Sequence, residues 1–260
     1  MRHLLLATFL ATVPALPGLA QDPAQDLPKG LTSARILPGW TDADGRRVAA
    51  LELVLEPGWK TYWRSPGDAG LPPEFDWQGS NIGAVEFHWP APEVIVSDGV
   101  RTLGHHDRLL LPFTVTPEDT GKPIGISAHV SFGLCENICI PASLDLVAPA
   151  AAVDPDPVIE AAMAATPQRS DEKPACEMGE IEDGTTITLS TPEPGAELAV
   201  EYRGAPDIWV SAPSFNADGT EVTVDLVAPH GKPFPVDPEA VVMTVLGQGG
   251  ATEFHGCAEG

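Results

Sequence analysis

The sequence predicts an all-β protein of two β-sandwich domains joined by a linker with a short helix. Three observations predict it. Short runs alternate apolar and polar residues with a period of two. Twenty-five glycines and 28 prolines punctuate those runs, as expected of many short strands joined by turns. Only one stretch, 157–165, has the pattern of a helix.

The first twenty residues read as an export signal. Arg2 and His3 form a short basic start, Leu4 to Leu16 is apolar, and Gly18-Leu19-Ala20 supplies a small-residue cleavage site before Gln21. The apolar stretch is short for a membrane span, and Pro14 and Pro17 interrupt it. The mature protein is therefore expected to be soluble and outside the cytoplasm; in a Gram-negative bacterium that is the periplasm, where disulfides persist. Removing Arg2 with the signal leaves 13 basic against 37 acidic groups, a net charge of −24. Such a field repels phosphates, so nucleic acid is not an expected partner.

Residues 21–149 are expected to form the first sandwich. Its strand candidates include Val48–Leu55, Arg108–Val115, Ile124–Phe132 and Ile140–Val147. Between the first two runs a loop rich in aromatics, glycine and proline, 58–73, followed by Trp77 and Trp89. These tryptophans are read first as core and loop packing, since each buries a large area. Residues 150–174 form the linker. Asp156 caps and Pro157 starts a helix that Pro167 stops, and 168–173 is polar and expected to be exposed. Residues 175–260 are expected to form a second small sandwich, with strands at Thr185–Leu189, Leu198–Tyr202, Ile208–Val210, Glu221–Leu226 and Val241–Leu246.

Chemistry concentrates at Cys135 and Cys139. The flanking runs place apolar residues on even numbers and small or polar ones on odd numbers. Both cysteines are odd, so both extrapolate to the solvent face of a hairpin. Glu136, Asn137 and Ile138 separate them, so the two thiols face each other across a three-residue turn. Facing antiparallel residues lie about 4.5–5.5 Å apart at Cα, within disulfide range. Glu136 disfavours a thiolate next door, and no lysine or arginine lies nearby in sequence. Such a thiol is slow until a docked partner changes its surroundings.

Four cysteines allow three pairings. On the chain-entropy account, a Cys135–Cys139 bond stabilises by only about 2 kcal/mol, whereas Cys176–Cys257, enclosing the second block, stabilises by about 4.5 kcal/mol. The first pair is thus expected to be redox-active and catalytic, and the second to be a structural disulfide.

The stretch from Ser131 through Cys135-Glu136-Asn137-Ile138-Cys139-Ile140-Pro141 to Leu144-Asp145-Leu146 resembles the periplasmic amino-terminal domain of the DsbD and ScsB-like thiol:disulfide interchange family. So do Gly58-Trp59…Tyr62-Trp63…Pro66-Gly67-Asp68…Gly70-Leu71-Pro72, and Gly104-His105 leading to Leu109-Leu110-Leu111-Pro112. The resemblance implies an immunoglobulin-like sandwich with its redox pair on a hairpin. It implies electrons received from a membrane-embedded thiol–disulfide carrier and passed to periplasmic thioredoxin-like or isomerase proteins or to cytochrome c maturation factors. It implies a mixed disulfide at the second cysteine, here Cys139. It also implies a cap loop over the pair; by order along the chain this is about 97–106, with Asp98, Arg101, Gly104 and His105. That segment has no aromatic residue, and the spacing of the cysteines is shorter than in the best-known DsbD domains. The transmembrane carrier and thioredoxin-like domain of DsbD are not in this sequence, so another membrane protein is expected to feed it.

No cofactor or metal is expected to be required. The main rival is a Cu(I)-binding or copper-tolerance module, since two thiolates suit Cu(I) and His105, His106, His88 or His129 could add ligands. A third reading is an adaptor with two structural disulfides.

Overall fold

The computed structural model describes residues 27–259 apart from Asp68 and Asp98; the predicted export signal lies outside them. The fold is all-β with immunoglobulin-like sandwiches, as predicted, and its described residues form a large apolar core in each block and a smaller third cluster.

Ten strands build the first block: β1 (Leu31–Thr41), β2 (Arg47–Leu55), β3 (Lys60–Tyr62), β4 (Glu74–Trp77), β5 (Ala84–Phe87), β6 (Glu93–Ser97), β7 (Val100–His106), β8 (Arg108–Thr116), β9 (Ser127–Cys135) and β10 (Cys139–Val147). One sheet has the order β1-β2-β8-β5, and the facing sheet β10-β9-β3-β7-β6. β3 and β4 both pair with β9, so they act as one strand broken by the excursion 63–73. The alternation of the sequence becomes the packing: Ala128, Val130, Phe132 and Leu134 point inward to meet Leu51, Leu53, Leu111 and Phe113. Trp59, Trp63 and Trp89 are buried as read from sequence. Trp77, half-buried, packs on Phe113 with ring centroids 5.0 Å apart.

The helix α1 (Pro157–Ala164) forms where predicted. The Asp156 carboxylate accepts from Val158 N at 2.9 Å, and Pro157 sits in the first turn. It is more than a spacer: Ile159 is fully buried with Leu37, Val48 and Ala50, on the outer side of β2. The polar stretch after it is not all free linker either, because β11 (Gln168–Ser170) pairs in parallel with a strand of the second block.

That block continues with β12 (Ala175–Ile181), β13 (Gly184–Ser190), β14 (Glu197–Tyr202), β15 (Trp209–Val210), β16 (Ser214–Phe215), β17 (Glu221–Val227), β18 (Val241–Gly247), β19 (Gly250–His255) and β20 (Ala258–Glu259). Its sheets run β11-β19-β18-β14 and β15-β17-β13-β12-β20, with β16 on β17. Its core holds Ile187, Leu189, Leu198, Val222, Val224, Leu226 and Met243, with Cys176 and Cys257 inside it. The blocks touch: Ala199 of β14 belongs to the first core, and Leu246 of β18 packs against it. Among the described residues no helix is long and apolar enough to cross a membrane.

Candidate functional site

β9 and β10 form a hairpin in continuous register from Val147↔Ser127 to Cys139↔Cys135. The two cysteines face each other with Cα atoms 4.1 Å apart and are bonded. Cys176 and Cys257 are bonded to each other, and no cysteine among the described residues is free.

The two sulfurs of the hairpin differ in access. Cys139 is exposed, and Ile138 beside it is 76% exposed. Cys135 is only 6% exposed. The expectation that both lie on the solvent face is therefore corrected for Cys135. Period-two extrapolation assigns the face correctly but cannot show what covers it. Here the excursion between β3 and β4 folds over the odd-numbered face of β9. A Cβ built on Gly133 would lie 2.7 Å from the Tyr62 ring and 2.9 Å from the Leu71 Cβ. Any larger side chain at 133 would collide with that ring. Gly70 closes over the other side, its Cβ position 3.0 Å from the Tyr62 ring.

Tyr62 is 1% exposed, and its hydroxyl reaches the Cys139 sulfur at 2.8 Å. A disulfide sulfur carries no proton, so the phenol donates. Burial pushes the Tyr62 pKa above the ordinary tyrosine value, which keeps that proton in place.

Sequence neighbours include no cation, but strand pairing sets a lysine alongside Cys135. Lys60 on β3 is the direct partner of Cys135 in the ladder. Directly opposed residues project to the same face, with Cβ atoms about 4.5–5.5 Å apart. Lys60 is 5% exposed, and its ammonium donates to Ser97 Oγ at 3.0 Å. Burial lowers its pKa. Residues 60 and 135 are brought together by strand pairing alone, so periodicity carries no sign of it. Glu136 approaches Gly58, whose Cβ position lies 3.8 Å from its Oε1.

The expected cap, 97–106, is not a loop. Glu93–Ser97 and Val100–His106 are the arms of a hairpin. Asp98 lies outside the described residues. Arg101 reaches the second block, donating to Glu197 Oε2 and Leu198 O, both at 2.9 Å. Gly104 pairs with Tyr62, so closely that a Cβ would lie 2.3 Å from the Thr61 carbonyl oxygen. His105 is buried at 7% exposure with Nε2 unpartnered, and burial depresses its pKa to about 4. The aromatic side chain that touches the pair is Tyr62, outside 97–106.

The histidines do not gather. His106 pairs with Glu93 at 2.9 Å, His129 with Asp145 at 2.8 Å, and His88 with Thr114 at 2.8 Å. Among the described residues no group of three or more His, Cys, Asp or Glu is arranged to hold a metal ion. Beside the hairpin a cavity of about 460 Å³ opens over β9, between Leu71-Pro72 and Pro141-Ala142.

Residues 33–151 match the family described as thiol:disulfide interchange protein DsbD, N-terminal. No curated protein sequence matches the chain. The fold is similar to the crystal structure of the N-terminal periplasmic domain of ScsB from Proteus mirabilis, with a TM-score of 0.63 and 23% identity, covering 92% of this chain and 97% of that one. At that identity the likeness speaks for the fold, and it extends through both sandwiches. Residues 33–151 are thus similar to the DsbD-type amino-terminal domain, a family of thiol–disulfide interchange modules.

Proposed function

We propose that this protein exchanges disulfides with partner proteins through Cys135 and Cys139, in the periplasm of a Gram-negative cell. A membrane-embedded thiol–disulfide carrier loads it with electrons, and periplasmic thioredoxin-like or isomerase proteins receive them. The observation that carries this reading is the unequal access of two bonded sulfurs at a hairpin tip, Cys139 open and Cys135 covered.

Loading begins when a partner thiolate attacks the Cys139 sulfur. The Cys135–Cys139 bond breaks, a mixed disulfide forms at Cys139, and Cys135 leaves as a thiolate. Lys60, its ladder partner, stabilises that leaving group. The partner's second thiolate then attacks its own sulfur in the mixed disulfide and displaces Cys139. Here the Tyr62 hydroxyl donates to the departing sulfur. The partner loses two electrons and two protons and becomes a disulfide; this protein gains both as a dithiol. Delivery runs the same steps backwards: the Cys139 thiolate attacks a client disulfide, and Cys135 resolves the mixed species. The Cys176–Cys257 bond, inside the second core, takes no part and holds its sandwich together.

Trapping tests the assignment. Cys135→Ser leaves Cys139 able to attack but not to be released. Expressed in its native compartment, it should accumulate covalent adducts with thioredoxin-like or isomerase proteins that dissolve in dithiothreitol. Cys139→Ser should accumulate few. Equal trapping by both variants overturns the assignment of Cys139, and no trapping by either overturns the exchange function.

A further inference from the structure

The second sandwich does not merely follow the first. Two arginines cross between the blocks: one follows β3, the neighbour of β9, and the other lies on β7, the next strand along. Arg64, two residues beyond Tyr62, donates from Nε and Nη2 to the two Glu201 oxygens at 3.0 and 2.8 Å, and also bonds Glu253. Its guanidinium lies over the Trp63 ring, 4.2 Å from the centroid. Arg101, on β7, donates to Glu197 and to the Leu198 carbonyl. Their partners lie on β14 and β19 of one sheet. Arg203 and His255 flank the same acids, 3.8 Å and 2.6 Å from Glu253.

Arg64 is therefore fixed from two sides. Its paired carboxylates are mostly withdrawn from water, with side-chain exposures of 10% and 13%. A bidentate guanidinium–carboxylate pair fixes direction as well as distance. Below it, Trp63 is fully buried, and its backbone N–H donates to the Leu103 carbonyl at 3.0 Å. Tyr62 is the next residue back, and its hydroxyl has to lie at 2.8 Å from the Cys139 sulfur to act. The chain from Glu201 through Arg64 and Trp63 to Tyr62 is contiguous.

We propose that the second sandwich sets the redox poise of the Cys135–Cys139 pair, with Arg64 as the positioning residue that aims Tyr62 at the Cys139 sulfur. This deepens the exchange function proposed above and rests on it. A phenol held on Cys139 favours the thiolate over the thiol, and stabilising the reduced form makes a disulfide more oxidising. Releasing the clamp lets the ring drift, so the pair becomes harder to reduce and the Cys139 thiol titrates at higher pH.

The experiment uses the full mature chain with Arg64→Met, which keeps the apolar stem over Trp63, with Glu201→Gln, which alters only the second block, and with Arg64→Lys as the conservative rescue. Glu239→Gln, on the Lys173 pair, is the control. Two readouts are taken: the equilibrium constant for reduction by dithiothreitol, and the pH dependence of Cys139 alkylation in the reduced protein. Expected are a threefold or larger fall in the equilibrium constant for R64M and E201Q and a shift of the alkylation profile to higher pH. R64K should move less than R64M, and E239Q should match wild type. Changes below threefold in both R64M and E201Q overturn the proposal, even if melting temperatures fall, because a purely structural contact costs stability without moving the poise. Should R64M fail to fold, E201Q decides. Wild-type protein that exchanges normally while the variants do not shift sinks the clamp alone; wild-type protein that exchanges with no thiol partner sinks the exchange function beneath it.

Discussion

Acid should weaken this protein through one histidine. His105 is 7% exposed, its Nε2 has no partner, and it pairs in the ladder with Thr61. Burial is the main cause of its depressed pKa, about 4; the Glu93 carboxylate pulls the value up and His106 pushes it down. In the unfolded chain the ring titrates near its ordinary value of about 6.5. The folded protein thus holds a neutral ring while the unfolded chain binds a proton between those two values. Stability from this group is complete above about pH 6.5 and is lost as pH falls toward 4. At 1.36 kcal/mol per pH unit of difference, the loss by pH 4 is about 3 kcal/mol. That is a sizeable share of the 5–15 kcal/mol typical of a domain. Urea denaturation at pH steps from 7.5 to 4 measures it, with His105→Leu alongside. The variant lacks the titrating ring, so whatever its stability at pH 7, wild type should lose about 3 kcal/mol more than it does on the way to pH 4. Carboxylates common to both chains cancel in that comparison. Parallel curves for the two proteins would refute the reasoning.

Four further outcomes are expected. Tyr62→Phe keeps the ring on Gly133 but removes the donor to Cys139, so alkylation of reduced Cys139 should need a higher pH and exchange should slow severalfold. Lys60→Met removes the cation opposite Cys135; release of Cys135 should slow by about tenfold, the equivalent of about 1.4 kcal/mol, and stopped-flow thiol exchange would show it. Gly133→Ala drives a Cβ into the Tyr62 ring and should cost about 1–3 kcal/mol of stability by thermal melting, the usual range for overpacking. Serine at both Cys176 and Cys257 opens a bond spanning 81 positions and should cost about 4.5 kcal/mol, against about 2 kcal/mol for Cys135 and Cys139 together.

Much of this architecture is legible in residue order. Strands at 48–55, 108–115 and 140–147 fall within a residue or so of their observed ends, because each has a clean period of two and a turn at either side. The same alternation puts Cys135 opposite Cys139 in register. Legibility fails where long-range pairing decides. β1 is irregular, with register shifts at Leu31/Ser33 and Leu37/Trp40, so its alternation breaks twice. The hairpin of β6 and β7 reads as loop because glycines interrupt it at 99 and 104. Lys60 and Tyr62 sit more than 70 positions from the sulfurs they serve, in a three-residue strand too short to announce itself. The 63–73 excursion looks like a simple aromatic loop until the fold shows Leu71 lying on β9 at Gly133.

Pro141 gives the last consequence. It sits two residues past Cys139 on β10, which pairs only with β9 among the described strands. An outermost strand invites a visiting chain to zip on along its backbone, and proline denies it one of the amide hydrogens such zipping would use. A visitor arriving at Cys139 can therefore touch, react and leave, rather than settle as an added strand. For the exchange proposed above, brief contact at that rim matters more than tight embrace.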